Sequence, residues 1–310
     1  MKIALFEING EPRVGIVENG NVIDIIETFR DVLVKEGYSE DEADETVDSL
    51  IIYSENFVLT WNTLESILKE VKDNIKLASK HMYPLNEIKL LPPIIQPQKI
   101  IGVALNYRDL ADQLGKEYPE KARFYLKAPS SIIGPGESII LPKVAEKIDY
   151  EAELVIVIKE EAKDLEPDEA DQVILGYTIG NDITARDIQY NKHTFHSWAK
   201  SIDTFTPIGP WIVTTDEIKD PQNLKIRLWI NNELYQDSTT ANMIRNVREI
   251  VSEASQYMTL FPGDLIFTGT PAGTGFALNP PRFLKDGDVV RIEIEGIGIL
   301  ENPVKSYRKP

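Results

Sequence analysis

The run Asp149-Tyr150-Glu151-Ala152-Glu153-Leu154-Val155-Ile156-Val157-Ile158 reads as a strand that enters the protein through three carboxylates. From Leu154 onward it is aliphatic without a break, the pattern of a strand buried on both faces. Alternate residues of a strand share a face, so Asp149, Glu151 and Glu153 are expected to converge. Carboxylates crowded beside buried strand repel one another unless protons or a cation intervene. Two readings stand at this point: an edge strand with a solvated acidic face, or the wall of a cation site.

A further carboxylate follows in sequence. Residues 173–180 read as another strand, with Asn181-Asp182 at its end, and residues 183–189 suit a short helical turn. Asp182, Arg186 and Gln189 then share one face by i, i+4 and i+3 spacing. Asp182 is either an N-cap with a salt bridge to Arg186 or a third oxygen ligand, with Arg186 and Gln189 left to bind a substrate carboxylate or carbonyl. The segment Phe267-Thr268-Gly269-Thr270-Pro271-Ala272-Gly273-Thr274-Gly275 leaves a strand and carries three glycines, so its amides can approach an anion closely. No Lys-Ser or Lys-Thr follows it, and its glycine spacing fits no dinucleotide fingerprint. It is a carboxylate-binding loop or a plain turn.

Around this centre the pattern is mostly β. Residues 225–230, 263–268 and 288–300 read as strands, Asn231-Asn232 as a hairpin turn, and 241–260 as a helix with Met243, Val247, Ile250, Val251 and Ala254 on one face. Residues 1–25 read as two or three short strands joined at Asn9-Gly10 and Asn19-Gly20. Ser39-Glu40-Asp41-Glu42 is a capping-box pattern, opening an acidic, solvated stretch. Residues 61–80 place Trp61, Leu64, Ile67, Leu68, Val71 and Ile75 at helical spacing. Pro92, Pro93 and Pro97 impose an extended link. The expected organisation is α+β and β-rich: a small N-terminal α+β domain over 1–95 and a β-rich domain over 96–310.

The chain has 310 residues, with 33 Lys and Arg against 50 Asp and Glu, a net charge of −17. Such a surface repels phosphate backbones and anionic lipid, which argues against nucleic-acid and membrane partners. No apolar run approaches the roughly 18 residues that span a bilayer. The opening Met-Lys-Ile-Ala-Leu-Phe-Glu lacks an apolar signal region, so a cytoplasmic protein is expected. Cysteine is absent and histidine occurs three times. Thiolate zinc sites and iron–sulfur clusters are excluded, and any metal would be held largely by oxygen, which favours Mg²⁺, Mn²⁺ or Ca²⁺.

Taken in order, Gly102 to Tyr107, Phe124 to Lys127, Asp149 to Leu154, Gly176 to Gln189, Lys200-Ser201-Ile202-Asp203-Thr204-Phe205, Pro207 to Trp211, Pro262-Gly263-Asp264, Thr268 to Gly273 and Gly296-Ile297-Gly298 resemble the fumarylacetoacetate hydrolase family. The resemblance covers about residues 95–305. It implies that the domain over 96–310 is the metal-binding catalytic one. It also implies a mixed β-sandwich roll, a homodimer, and one Mg²⁺ or Mn²⁺ per site, with Ca²⁺ able to take its place in crystals. Its metal ligands carry over to Glu151, Glu153 and Asp182. Its substrate-contacting positions carry over to Arg186, Gln189, Lys200 and Thr270, with Lys127 and Gly269 beside them. The substrate implied is a small 2-oxo acid that reacts through a metal-bound enolate; Lys200 is the expected proton-transfer group and Arg186 its catalytic partner.

One departure matters. Where many members of the family carry a His and a Glu three residues later, just after the Asn-Tyr pair, this chain has Leu110 and Gln113, neither of which can deprotonate water. A fourth acidic ligand of the hydrolase branch falls at Val103. Asp109, Asp112, Glu117 or Lys200 are the candidate substitutes, and His196 lies four residues before Lys200. Hydrolysis of an acylpyruvate or isomerisation of a 2-hydroxyhepta-2,4-diene-1,7-dioate is the leading expectation. The alternatives are a decarboxylase, a 2-keto-3-deoxy sugar-acid dehydratase, and a catalytically silent protein that binds metal and 2-oxo acid.

Overall fold

In a computed structural model, which describes residues 1–55, 61–191, 193 and 196–308, the two Asn-Gly pairs make the first turns. Asn9, Gly10, Asn19 and Gly20 all have left-handed φ, as two-residue hairpins require. They join β1 (Lys2–Ile8), β2 (Glu11–Glu18) and β3 (Asn21–Asp24). Among the described residues four helices follow: α1 (Ile25–Glu36), α2 (Glu40–Glu55), α3 (Trp61–Asp73) and α4 (Ile75–Ala78). The capping box forms, Ser39 N–H donating to Glu42 and Glu42 N–H to Ser39 Oγ. The helix expected over 61–80 breaks at Asn74. Ile67, Leu68 and Val71 are buried in the N-terminal core as their spacing predicts; the side chains of Trp61, Leu64 and Ile75 lie outside the described residues. Short strands β4 (Met82–Pro84) and β5 (Lys89–Leu90) precede the proline link.

Beyond the link come β6 (Ile100–Ala104), α5 (Arg108–Gln113), β7 (Arg123–Lys127), β8 (Ile132–Ile133), β9 (Ile139–Leu141), β10 (Ile148–Asp149) and β11 (Ala152–Ile158). Then follow α6 (Ala170–Val173), β12 (Ile174–Asn181), β13 (Thr184–Ala185), α7 (Arg186–Gln189), α8 (His196–Lys200) and β14 (Thr206–Thr214). The chain closes with β15 (Lys225–Ile230), β16 (Glu233–Thr239), α9 (Val247–Tyr257), β17 (Leu265–Phe267), β18 (Val289–Ile294) and β19 (Gly298–Ser306).

The main sheet runs β4-β3-β2-β1-β14-β12-β11-β17-β6-β7, and a second sheet runs β16-β15-β18-β19-β9. β11 is therefore interior, with all seven residues buried, and the solvated-edge reading of its acidic entry is overturned. The first 95 residues join the rest through β1 on β14, and they carry a core of their own. The helix expected over 241–260 starts only at Val247. Asn246 caps it in a reciprocal box with Glu249, and Met243 instead bridges to Tyr107. Asn231 and Asn232 form the expected hairpin turn between β15 and β16.

Candidate metal centre

Strand register builds the centre. Ala152 pairs with Asn181 and Glu153 with Gly180, so the residue before β11 and the residue after β12 meet. The Asp182 amide donates to Glu151 O at 2.9 Å, and the Glu151 amide to Asn181 Oδ1 at 3.0 Å. Glu151, Glu153 and Asp182, all buried, each bring a carboxylate oxygen within 4.8 Å of the others. Asp149 does not join them. The strand is interrupted between β10 and β11, so strict alternation ends there, and the Asp149 carboxylate meets Arg186 instead.

Asp182 is not the N-cap of a helix over 183–189. A two-residue strand intervenes, α7 begins only at Arg186, and Arg186 turns to Asp149 and Glu151 rather than to Asp182. Asp182 is held by Lys127 Nζ on Oδ1 and by Lys200 Nζ and the Tyr125 hydroxyl on Oδ2. Burial pushes its carboxyl up, but Lys127 and Lys200 together outweigh that and hold it well below the usual carboxylate range. Burial likewise pulls Lys200 down, and Asp182 and Glu151 more than offset it, leaving the ammonium favoured. Lys127, wholly buried, ends below its ordinary value because desolvation exceeds the help from Asp182.

Glu153 behaves in the opposite way. Burial first, then the negative charges of Asp182 and Glu151, push its carboxyl well above the usual range, although the Gly269 amide donates to Oε2 at 2.7 Å. Three buried carboxylates, one of which resists ionisation because it is desolvated beside two other acids, fit an oxygen-preferring divalent cation such as Mg²⁺ or Mn²⁺.

The other expected residues divide into two groups. Lys127, Arg186 and Lys200 reach the carboxylates directly. Gln189 touches Arg186, its Oε1 accepting from Nη1 at 2.8 Å. Gly269 spends its amide on Glu153, and Thr270 Oγ1 donates to Ala152 O at 2.9 Å, so both brace β11. In α5, Leu110 is packed in the core, while Gln113 accepts from the Gly273 amide at 3.1 Å. Asp109 accepts from Ser238 and Asn242, Asp112 accepts from Tyr118, and Glu117 is exposed; none belongs to the triad. His196 opens α8 and is exposed. Desolvation, then the charges of Lys200, Arg186 and Lys116, hold its ring below the ordinary histidine value.

Sequence reasoning passed over Tyr125, Thr184 and Gln236. Tyr125 had a signal: it lies two residues before Lys127 on β7, so the same face delivers both to Asp182. Gly102 makes room for it, since a Cβ there would fall 2.1 Å from the Tyr125 ring. Thr184 Oγ1 accepts from Lys200 at 2.8 Å. The Gln236 amide links Thr270, Pro271 and Ala152 across the two sheets, a contact no local pattern announces.

The family profile described as fumarylacetoacetate (FAA) hydrolase C-terminal matches residues 99–305. The chain belongs to the fumarylacetoacetate hydrolase family. It is 40% identical over 242 residues to oxaloacetate tautomerase fahd2, mitochondrial, of Xenopus laevis, covering 77% of this chain and 75% of that protein. The fumarylacetoacetate hydrolase of psychrophilic Exiguobacterium antarcticum superposes with a TM-score of 0.77 at 34% identity, over 99% of this chain and all of that one. Maleylpyruvate hydrolase from Sphingobium sp. SYK-6, solved with manganese(II) and pyruvate, superposes with a TM-score of 0.72 at 26% identity, again over 99% and 100%. The mixed, β-rich α+β architecture with its small N-terminal α+β region is that of the family.

Proposed function

We propose that this chain is a Mg²⁺- or Mn²⁺-dependent enzyme that interconverts the keto and enol forms of a small 2-oxo acid, with a dicarboxylate such as oxaloacetate as the first substrate to try. The observation that carries the metal dependence is the buried Glu151–Glu153–Asp182 triad. A divalent cation held there supplies a Lewis acid for the substrate's keto and carboxylate oxygens, where enolate charge develops.

The choice of tautomerisation rests on α5. Moving one hydrogen between the enol oxygen and the third carbon consumes no water, so it needs no water-activating pair. Leu110 is committed to the core and Gln113 to the 273–277 segment, so neither position offers one. Lys200 is the group assigned to proton transfer. Its ammonium is held between Glu151 Oε2 at 3.0 Å, Asp182 and Thr184, and the charges of Glu151 and Asp182 keep it protonated. Nζ would give a proton to the third carbon and take one back as the enol oxygen loses its own, so the exchange balances. Arg186 donates to Glu151 from Nη2 and to Gln189 from Nη1. The 40% identity to an oxaloacetate tautomerase supports this reading.

C–C hydrolysis of an acylpyruvate is the second reading, favoured by the likeness to maleylpyruvate hydrolase. A homodimer, as the resemblance implies, is part of the proposal and is checked by light scattering. The enol absorbance of oxaloacetate should decay faster with enzyme and Mn²⁺ than with Mn²⁺ alone, and Lys200→Met should slow it at least about 100-fold, the lower range for loss of a general acid. Cleavage of acetylpyruvate with no effect on the oxaloacetate enol would replace tautomerase by hydrolase. Turnover unchanged in Lys200→Met would remove that residue from the chemistry.

A further inference from the structure

A fourth carboxylate lies under the metal centre without belonging to it. Asp149 is completely buried and accepts four hydrogen bonds. Its Oδ1 takes the amides of Gly275 at 2.7 Å and Tyr150 at 2.9 Å. Its Oδ2 takes the Phe276 amide at 3.1 Å and Arg186 Nε at 2.7 Å. The glycine-rich segment that looked able to bind an anion thus binds one from within the chain. Gly275 is required for that approach, because a Cβ there would lie 2.6 Å from Asp149 Oδ1 and 1.9 Å from Arg282 O.

Arg186 continues the chain of contacts. Its Nη2 donates to Glu151 Oε1 at 2.5 Å, its Nη1 to Gln189, and its guanidinium carbon sits 4.1 Å from the Phe276 ring centroid. Three of the five N–H donors of an arginine are therefore committed inside the protein. The Glu151 carboxylate is gripped from both sides, by Arg186 on Oε1 and Lys200 on Oε2.

We infer that Asp149 is a positioning residue, and that the connection from the 275–276 amides through Asp149 and Arg186 to Glu151 sets the orientation in which Glu151 meets the cation. This rests on the proposed metal site. The reason is electrostatic and geometric together. Asp149 neutralises Arg186, so the guanidinium orients Glu151 without competing at full strength with the cation for it. Without the Asp149 charge, a buried and unbalanced Arg186 draws Glu151 to itself. Partners of this kind behind a metal ligand typically change metal affinity about 10- to 100-fold when removed.

The test uses the full chain freed of metal, with Mn²⁺ as the probe, read by calorimetry and by the electron paramagnetic resonance spectrum of the bound ion. Asp149→Asn should weaken Mn²⁺ binding about tenfold and alter the spectrum. Arg186→Lys should do the same, and the double variant should be no weaker than the weaker single one, as expected of residues acting in one chain. A folded Asp149→Asn protein with wild-type affinity and spectrum would overturn the inference, as would effects that multiply in the double variant. Should Asp149→Asn not fold, Asp149→Glu, which keeps the charge but displaces it, takes its place: weakened Mn²⁺ binding with an altered spectrum upholds the connection, and unchanged affinity and spectrum overturn it. Failure of the metal site itself shows separately, as absence of Mn²⁺ binding in the unsubstituted chain.

Discussion

Glu153 is the residue in which the physics of the site is concentrated. It is 1% exposed, faces two other acids, and has one backbone amide to stabilise its charge. Residue-by-residue reading of the sequence reached it, together with Glu151 and Asp182, because strand alternation and a strand end are local properties. The same reasoning misplaced Asp149: a break of two residues between β10 and β11 changes which carboxylates share a face, and no local pattern marks that break. It also missed Tyr125, although the spacing from Lys127 was there to be used.

His196 offers a pH test at the same scale. Desolvation and then the three cations near it depress its pKa, so the folded protein binds fewer protons than the unfolded chain between the two values. Its contribution to stability is present above about pH 6.5, the ordinary histidine value, and is lost as pH falls through the depressed one. An NMR titration should give His196 an apparent pKa below the ordinary histidine value; one at or above it would contradict the placement of Lys200, Arg186 and Lys116 around the ring.

At the scale of elements, the strongly patterned ones were legible and the interrupted ones were not. β11 follows from an unbroken aliphatic run and β15 from the alternation of Ile226, Leu228 and Ile230 with Lys225, Arg227 and Trp229. β14 was invisible, since Pro207 and Pro210 lack the donors a central strand uses. The sheet accommodates them through a register shift between Tyr177 and Ile179, where Thr178 Oγ1 donates to Gly209 O at 3.1 Å. The start of α9 shows how capping outranks periodicity: Met243 fits the apolar stripe, yet Asn246 and Glu249 fix the first turn. Asn246→Ala should therefore cost about 1 kcal/mol of stability while leaving Mn²⁺ affinity unchanged, because α9 supplies no group to the triad. Denaturant unfolding measures the first and calorimetry the second. A loss of Mn²⁺ affinity in that variant would mean that the helix start and the site are coupled.

For the whole molecule, the centre depends on segments far apart in sequence: β7, the entry to β11, the end of β12, α7, α8 and the loop after β17. Their meeting places three cations, Lys127, Arg186 and Lys200, around four carboxylates in a chain whose net charge is −17. The local excess of negative charge suits a divalent cation, and with that ion present the balance turns positive, which suits an anionic substrate on an otherwise anion-repelling protein. Family membership and the β-rich class could be reached from ordered motifs; the pairing of β1 with β14, which ties the first 95 residues into the main sheet, could not, because it is set by contacts more than 200 residues apart. The central claim is that Glu151, Glu153 and Asp182 hold a divalent cation, and calorimetric titration of Mn²⁺ into metal-free protein tests it most directly. One ion bound per chain, with binding abolished by Glu153→Ala in a variant that still unfolds cooperatively, is the predicted result. No binding to the unsubstituted chain, or binding that survives Glu153→Ala undiminished, would contradict it.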